Sequence, residues 1–153
     1  MSKIVILSHC ILNGCCELPE ASDALRSKIM TILLSKKANI IQLPCPELCF
    51  QALDRKSVYP GDSKEVEYKN YCERLILNTI KNVLEYDKYG IEIMGIIGID
   101  TSPSCSIKNS NAILMKTLVN NIRNNNVCVQ NEIDMPIGIE EENGKFLEQL
   151  EKW

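Results

Sequence analysis

The sequence predicts an α/β fold: a three-layer sandwich with a mostly parallel central sheet, flavodoxin-like or Rossmann-like in class. Three observations predict it. Short apolar runs alternate along the chain with longer segments of helical periodicity. These runs are nearly continuous in Ile, Val and Leu, as in strands covered on both faces. Strands that are separated by helices join as parallel neighbours through right-handed crossovers.

Each element follows from its own pattern. The β-branched run at 3–8 predicts a first strand, and Ala24, Leu25, Ile29, Ile32 and Leu33 recur at helical spacing within 21–36. A second strand is expected over 39–44. From 64 to 88, Cys72, Leu75, Ile76, Thr79, Ile80, Val83 and Leu84 fall on one helical face, and Gly90 stands where a helix-ending glycine belongs. Residues 91–99 form the third predicted strand. A helix over 110–124 carries Ile113, Leu114, Leu118, Val119 and Ile122; then 127–131 offers a fourth strand and 144–153 a last helix. The charged run over 132–145 reads as a solvated edge and loop.

The 153 residues, 45% hydrophobic and 24% charged, suit a single domain spanning 1–153, with no internal repeat or long linker. A net charge of -3, with Lys and Arg scattered, gives no electrostatic footprint for duplex nucleic acid. The apolar stretch near the N-terminus is too short for a secretion signal or a membrane span, so the expected location is cytoplasmic. In that reducing compartment the eight cysteines are core residues, metal ligands or nucleophiles rather than a disulfide framework.

Ligands in open parallel sheets bind at the carboxyl ends of strands, near the point where strand order reverses. Cys10, Cys45 and Cys105 each follow a predicted strand. The fold should therefore gather three residues that no local zinc-finger spacing connects. Three thiolates in such a crevice suit a soft metal or an iron–sulfur cluster. Cys72 and Cys128 read as small core residues on a helix face and inside the last strand. Cys15, Cys16 and Cys49 share loops with the proposed ligands, and one of them, Cys16 first, is a candidate fourth ligand or shuttle thiol.

Three motifs carry a family resemblance. "SHCILNGCC", "LPCPEL" and "SPSC" resemble, in the same order, the signatures of the TudS-type thiouracil desulfidases over roughly the first 110 residues. The resemblance implies a 4Fe-4S cluster held by three cysteines, with one iron not bound by protein. It implies desulfuration of a thiolated pyrimidine without net redox change. By motif, the ligands are Cys10, Cys45 and Cys105; the catalytic acid or base is Glu47, and the assisting hydroxyl is Ser102. The chain departs from the family pattern directly after Glu47, at Ser106 and around Asn13, which implies a divergent subfamily with its own thio substrate.

The chemistry also follows from the residues. An iron left open by a three-thiolate ligand set prefers a soft thione sulfur to water and polarises the attached carbon. Glu47, two residues from Cys45, can take the proton of an attacking water, and Ser102 can orient that water or the substrate. Plainer roles compete: Glu47 as a helix N-terminal carboxylate, and Ser102 and Ser104 as turn or cap residues beside Pro103. His9 either packs at the strand end or donates a hydrogen bond to the cluster, while Asp100 and Thr101 close the strand. Two other functional classes stay open: a zinc–thiolate binding module without catalysis, and a flavodoxin-type nucleotide-binding domain. The latter is weakened by the absence of a G-x-G-x-x-G loop.

Overall fold

A computed structural model describes residues 2–16, 22–53, 56–138 and 140–153. Among these residues four strands, β1 (Lys3–Leu7), β2 (Ala38–Gln42), β3 (Glu92–Ile99) and β4 (Glu132–Met135), form one sheet in the order β2-β1-β3-β4. Every pairing is parallel. Among the described residues, six helices connect or follow them: α1 (His9–Leu12), α2 (Asp23–Ser35), α3 (Pro46–Gln51), α4 (Glu65–Lys88), α5 (Ile113–Asn124) and α6 (Glu140–Glu151). This is the predicted α/β sandwich. Residue 21, the expected start of the helix over 21–36, lies outside the described residues.

Successive strand side chains face opposite layers, which sorts the core in two. Ile4, Ile6, Ile93 and Ile96 pack with Tyr68, Cys72, Ile76 and Ile80 of α4 and Leu114, Leu118 and Ile122 of α5. Val5, Leu7, Met94, Ile97 and Ile99 pack with Leu25, Ile29 and Leu33 of α2 and Phe146 and Leu150 of α6. Full burial of each Ile or Leu contributes about 1.5–3 kcal/mol, so both layers carry the fold. Gly90, at φ +72°, takes the left-handed turn that ends α4. Among the described residues, no helix is long and apolar enough to cross a membrane.

The C-terminal third corrects the sequence reading. The fourth strand is β4, inside the run expected to be solvated, while 127–131 contributes an isolated bridge from Val129 to Ile93. The ladder resumes in the same register at Ile96 and Glu132. The gap falls beside the irregularity in β3, where Ile4 pairs with Ile93 but Val5 pairs with Gly95. Cys128, expected in the core, is exposed because it precedes the strand. The last helix begins earlier than expected, with Glu140, Glu141 and Glu142 in a first turn whose dipole favours acids. Two short helices, α1 and α3, escape a periodicity reading because neither spans two full turns.

Candidate active site

β1 pairs with β2 on one side and with β3 on the other, so the chain leaves the ends of β1 and β3 in opposite directions. A crevice opens there. It is a cleft of about 210 Å3 lined by Cys10, Cys45, Glu47, Ser102, Ser104 and Cys105, with Ser57, Tyr59, Ile99 and Ile137 among its walls. Each of the three strand-end cysteines reaches it from a different element. Cys10 lies in α1 directly after β1, Cys45 is the N-cap of α3 after β2, and Cys105 lies in the loop between β3 and α5.

The thiols act on one another. The Cys10 and Cys45 side chains are hydrogen-bonded, and that bond, with burial and the neighbouring sulfurs of Cys16, Cys45 and Cys105, holds the Cys10 thiol far above the ordinary range. Burial, then Cys45 and Glu47, pushes the Cys105 thiol up in the same way. Crowded sulfurs in a desolvated site resist carrying several negative charges, and a bound cation removes that resistance. Ser8, fully buried beside the Cys105 sulfur, has a hydroxyl with no well-aligned hydrogen-bond partner among the described residues. Such a hydroxyl suits a neighbouring metal-bound sulfur as acceptor. Three soft thiols and this donor therefore fit a thiolate-held metal or cluster. As the side chains stand, no group of three or more His, Cys, Asp or Glu among the described residues is arranged to hold a metal ion.

Glu47 sits in the first turn of α3, after Pro46, yet is only 7% exposed. Its Oε1 accepts a hydrogen bond from Ser104 Oγ at 3.0 Å, and Ser104 Oγ lies 2.8 Å from the Tyr68 hydroxyl. Ser104 has one hydroxyl proton and gives it to Glu47, so Tyr68 donates to Ser104. Burial holds the Tyr68 phenol well above its usual range, which keeps it a donor. The result is a directed chain from the core of α4 to a carboxylate in the cleft.

Ser102 serves the loop itself. Its Oγ accepts the backbone N–H groups of Ser104 at 3.3 Å and Cys105 at 3.0 Å, leaving its own hydrogen outside those two bonds. Thr101, just before it, adopts φ +61°. A β-branched residue in the left-handed region is strained by about 1–3 kcal/mol and marks a loop whose shape is imposed by its surroundings.

No family model matches the sequence, and no solved structure matches it. The chain is 32% identical over 152 residues to the uncharacterized protein MJ0003 of Methanocaldococcus jannaschii, across 98% of its own length and 96% of the relative's. It belongs to the MJ0003 family.

In this MJ0003-family chain, all five residues singled out from the sequence as ligands or catalytic groups line one cleft. The supporting cysteines separate. Cys16 is half-buried and within electrostatic reach of Cys10, whereas Cys15 and Cys49 are exposed. Cys49 instead contacts Tyr71. Cys72 is fully buried, and its thiol is pushed up to about 12 chiefly by desolvation, as the core reading expects. His9 Nε2 lies 3.1 Å from Asn13 Nδ2, an end-of-helix contact away from the cleft. Sequence reasoning missed Tyr68 and Tyr59. Tyr68 was within reach, since Tyr68, Cys72, Ile76 and Ile80 follow one another at four-residue spacing. Tyr59 was missed because nothing local ties 56–61 to a cleft built by three strand ends.

Proposed function

We propose that the protein is a cytoplasmic, iron–sulfur-dependent desulfidase related to the TudS type, converting a small thio compound such as a thiouracil into its oxo counterpart. The observation that carries this reading is the convergence of Cys10, Cys45 and Cys105 with the buried Glu47 in one cleft. The three cysteines would hold a 4Fe-4S cluster, leaving one iron not bound by protein. When bound, that group supplies a Lewis acid with a preference for soft sulfur. Glu47 accepts the proton of the attacking water, held in place by Ser104 and through it by Tyr68. Ser102 offers its hydroxyl hydrogen to the substrate or to the water. A C=S group and water become a C=O group and hydrogen sulfide, with no electrons exchanged.

Anaerobic purification and reconstitution, followed by iron, zinc and acid-labile sulfide analysis and by sulfide release from 2- and 4-thiouracil, tests the proposal. About four iron and four sulfide per chain, with hydrogen sulfide produced, is the expected result. Stoichiometric zinc without iron would replace it with the thiolate binding module. The hydrogen-bond chain makes its own prediction. Tyr68→Phe deletes the donor behind Ser104 and should lower stability by about 1–2 kcal/mol, read from the denaturant midpoint, and reduce turnover while iron content holds.

A further inference from the structure

Asp134 has no place in the chemistry above, yet it is an acid buried to 4% exposure on the edge strand β4. It does not line the cleft. Its Oδ1 accepts the Ile107 N–H at 2.7 Å, and its Oδ2 accepts the Lys108 N–H and the Ser106 hydroxyl, each at 2.9 Å. Three donors converging on two oxygens are what an ionised carboxylate satisfies. These donors are the three residues that directly follow Cys105.

The path from β4 to that loop is open because of one residue. Asp134 is the ladder partner of Gly98, and a β-carbon at Gly98 would collide with Asp134 Oδ1 and with the Cys105 carbonyl oxygen. Glycine at that point lets the carboxylate reach across β3. Cys105 is then held from both sides. Ser102 Oγ takes its N–H and Ile99 N–H donates to its carbonyl at 3.1 Å, while beyond it Asp134 fixes the turn and Ser106 Oγ also accepts the Asn109 N–H at 3.1 Å.

We propose that Asp134 is the positioning residue for Cys105, clamping residues 106–108 and so fixing the loop that carries the thiol at the cleft wall. This rests on reading the cleft as a thiolate ligand site. Its test does not depend on a bound metal. Metal-free wild-type, Asp134→Asn and Ser106→Ala proteins are treated with iodoacetamide under native conditions, and the labelling rates of Cys105 and of the exposed Cys128 are followed by mass spectrometry. Asp134→Asn should raise the Cys105 rate relative to Cys128 by about tenfold, the size of change that a lost bond to a buried charge supports. Ser106→Ala, which removes one of the three bonds, should raise it by about threefold.

Melting curves identify which variants are folded. A folded Asp134→Asn protein whose Cys105 to Cys128 ratio stays within about twofold of wild type overturns the proposal, leaving Asp134 a framework residue of the edge strand. If that variant does not fold, Ser106→Ala decides on the same ratio. A wild-type protein that takes up no iron would sink the cluster reading by itself, and the labelling ratio would then decide only whether Asp134 sets the position of Cys105.

Discussion

Replacing Cys105 by serine is expected to strip the anaerobically reconstituted protein of nearly all its iron and acid-labile sulfide while the chain remains folded. Serine presents a hard hydroxyl oxygen where a soft thiolate is needed, and a hydroxyl does not ionise near neutral pH. Even changes in the residues behind a metal ligand cost about 10–100-fold in affinity, so loss of one of three ligands should cost at least about 100-fold. The fold should tolerate it. The Cys105 side chain sits at the border of both core layers, half-exposed to the cleft, and its backbone bonds to Ile99 and Ser102 do not involve sulfur. Two further substitutions separate metal loss from general damage. Cys128→Ser, at an exposed position, should leave iron and melting temperature unchanged. Cys72→Ser places a hydroxyl in the packed core and should cost about 1–3 kcal/mol of stability while iron content holds. Full iron and sulfide in Cys105→Ser would remove Cys105 from the ligand set.

Glu47→Gln is expected to keep the metal and lose the reaction. The amide has the same shape, and its oxygen still accepts the Ser104 hydroxyl, so α3 and the chain to Tyr68 should hold. What disappears is a group able to take a proton from water, which is worth about 100- to 10,000-fold in rate. Sulfide release from thiouracil, measured beside iron content and the melting temperature, reads the three quantities separately. The rate should fall by that factor with iron unchanged. Wild-type turnover in a loaded Glu47→Gln protein would deny Glu47 the base role and return it to the first turn of α3 as a dipole-facing carboxylate.

The sheet and its helices were readable because burial on both faces leaves a strong mark on composition. Ile4 and Ile6 face one layer while Val5 and Leu7 face the other, and one unbroken apolar run serves both. The same rule failed at the sheet edge. β4 is a four-residue strand with two acids, and the more apolar 127–129 drew the assignment away from it. Asp134 shows why: it is buried because Ser106, Ile107 and Lys108, far away in sequence, satisfy it. Helix α3 was too short to leave a periodicity, although Pro46 and Glu47, residues that open helices, let its first turn be weighed from the sequence.

The division extends to the site. Sequence alone determined that Cys10, Cys45 and Cys105 follow three strands, and parallel crossovers require those strand ends to lie on one edge, so their meeting was fixed by topology before any contact was known. Glu47 and Ser102 came with them, being two and three residues from one of these cysteines. Only the tertiary structure decided which hydroxyl holds the carboxylate. Ser102 turns its oxygen to the loop amides and Ser104 turns to Glu47, because Tyr68 arrives from α4 to complete the second arrangement. Only the tertiary structure could bring Asp134 over Gly98 to the loop behind Cys105. Local pattern records which residues are buried and with what period. The partner that satisfies a buried polar atom is set by the packing of separate elements, and no periodicity in either segment encodes it.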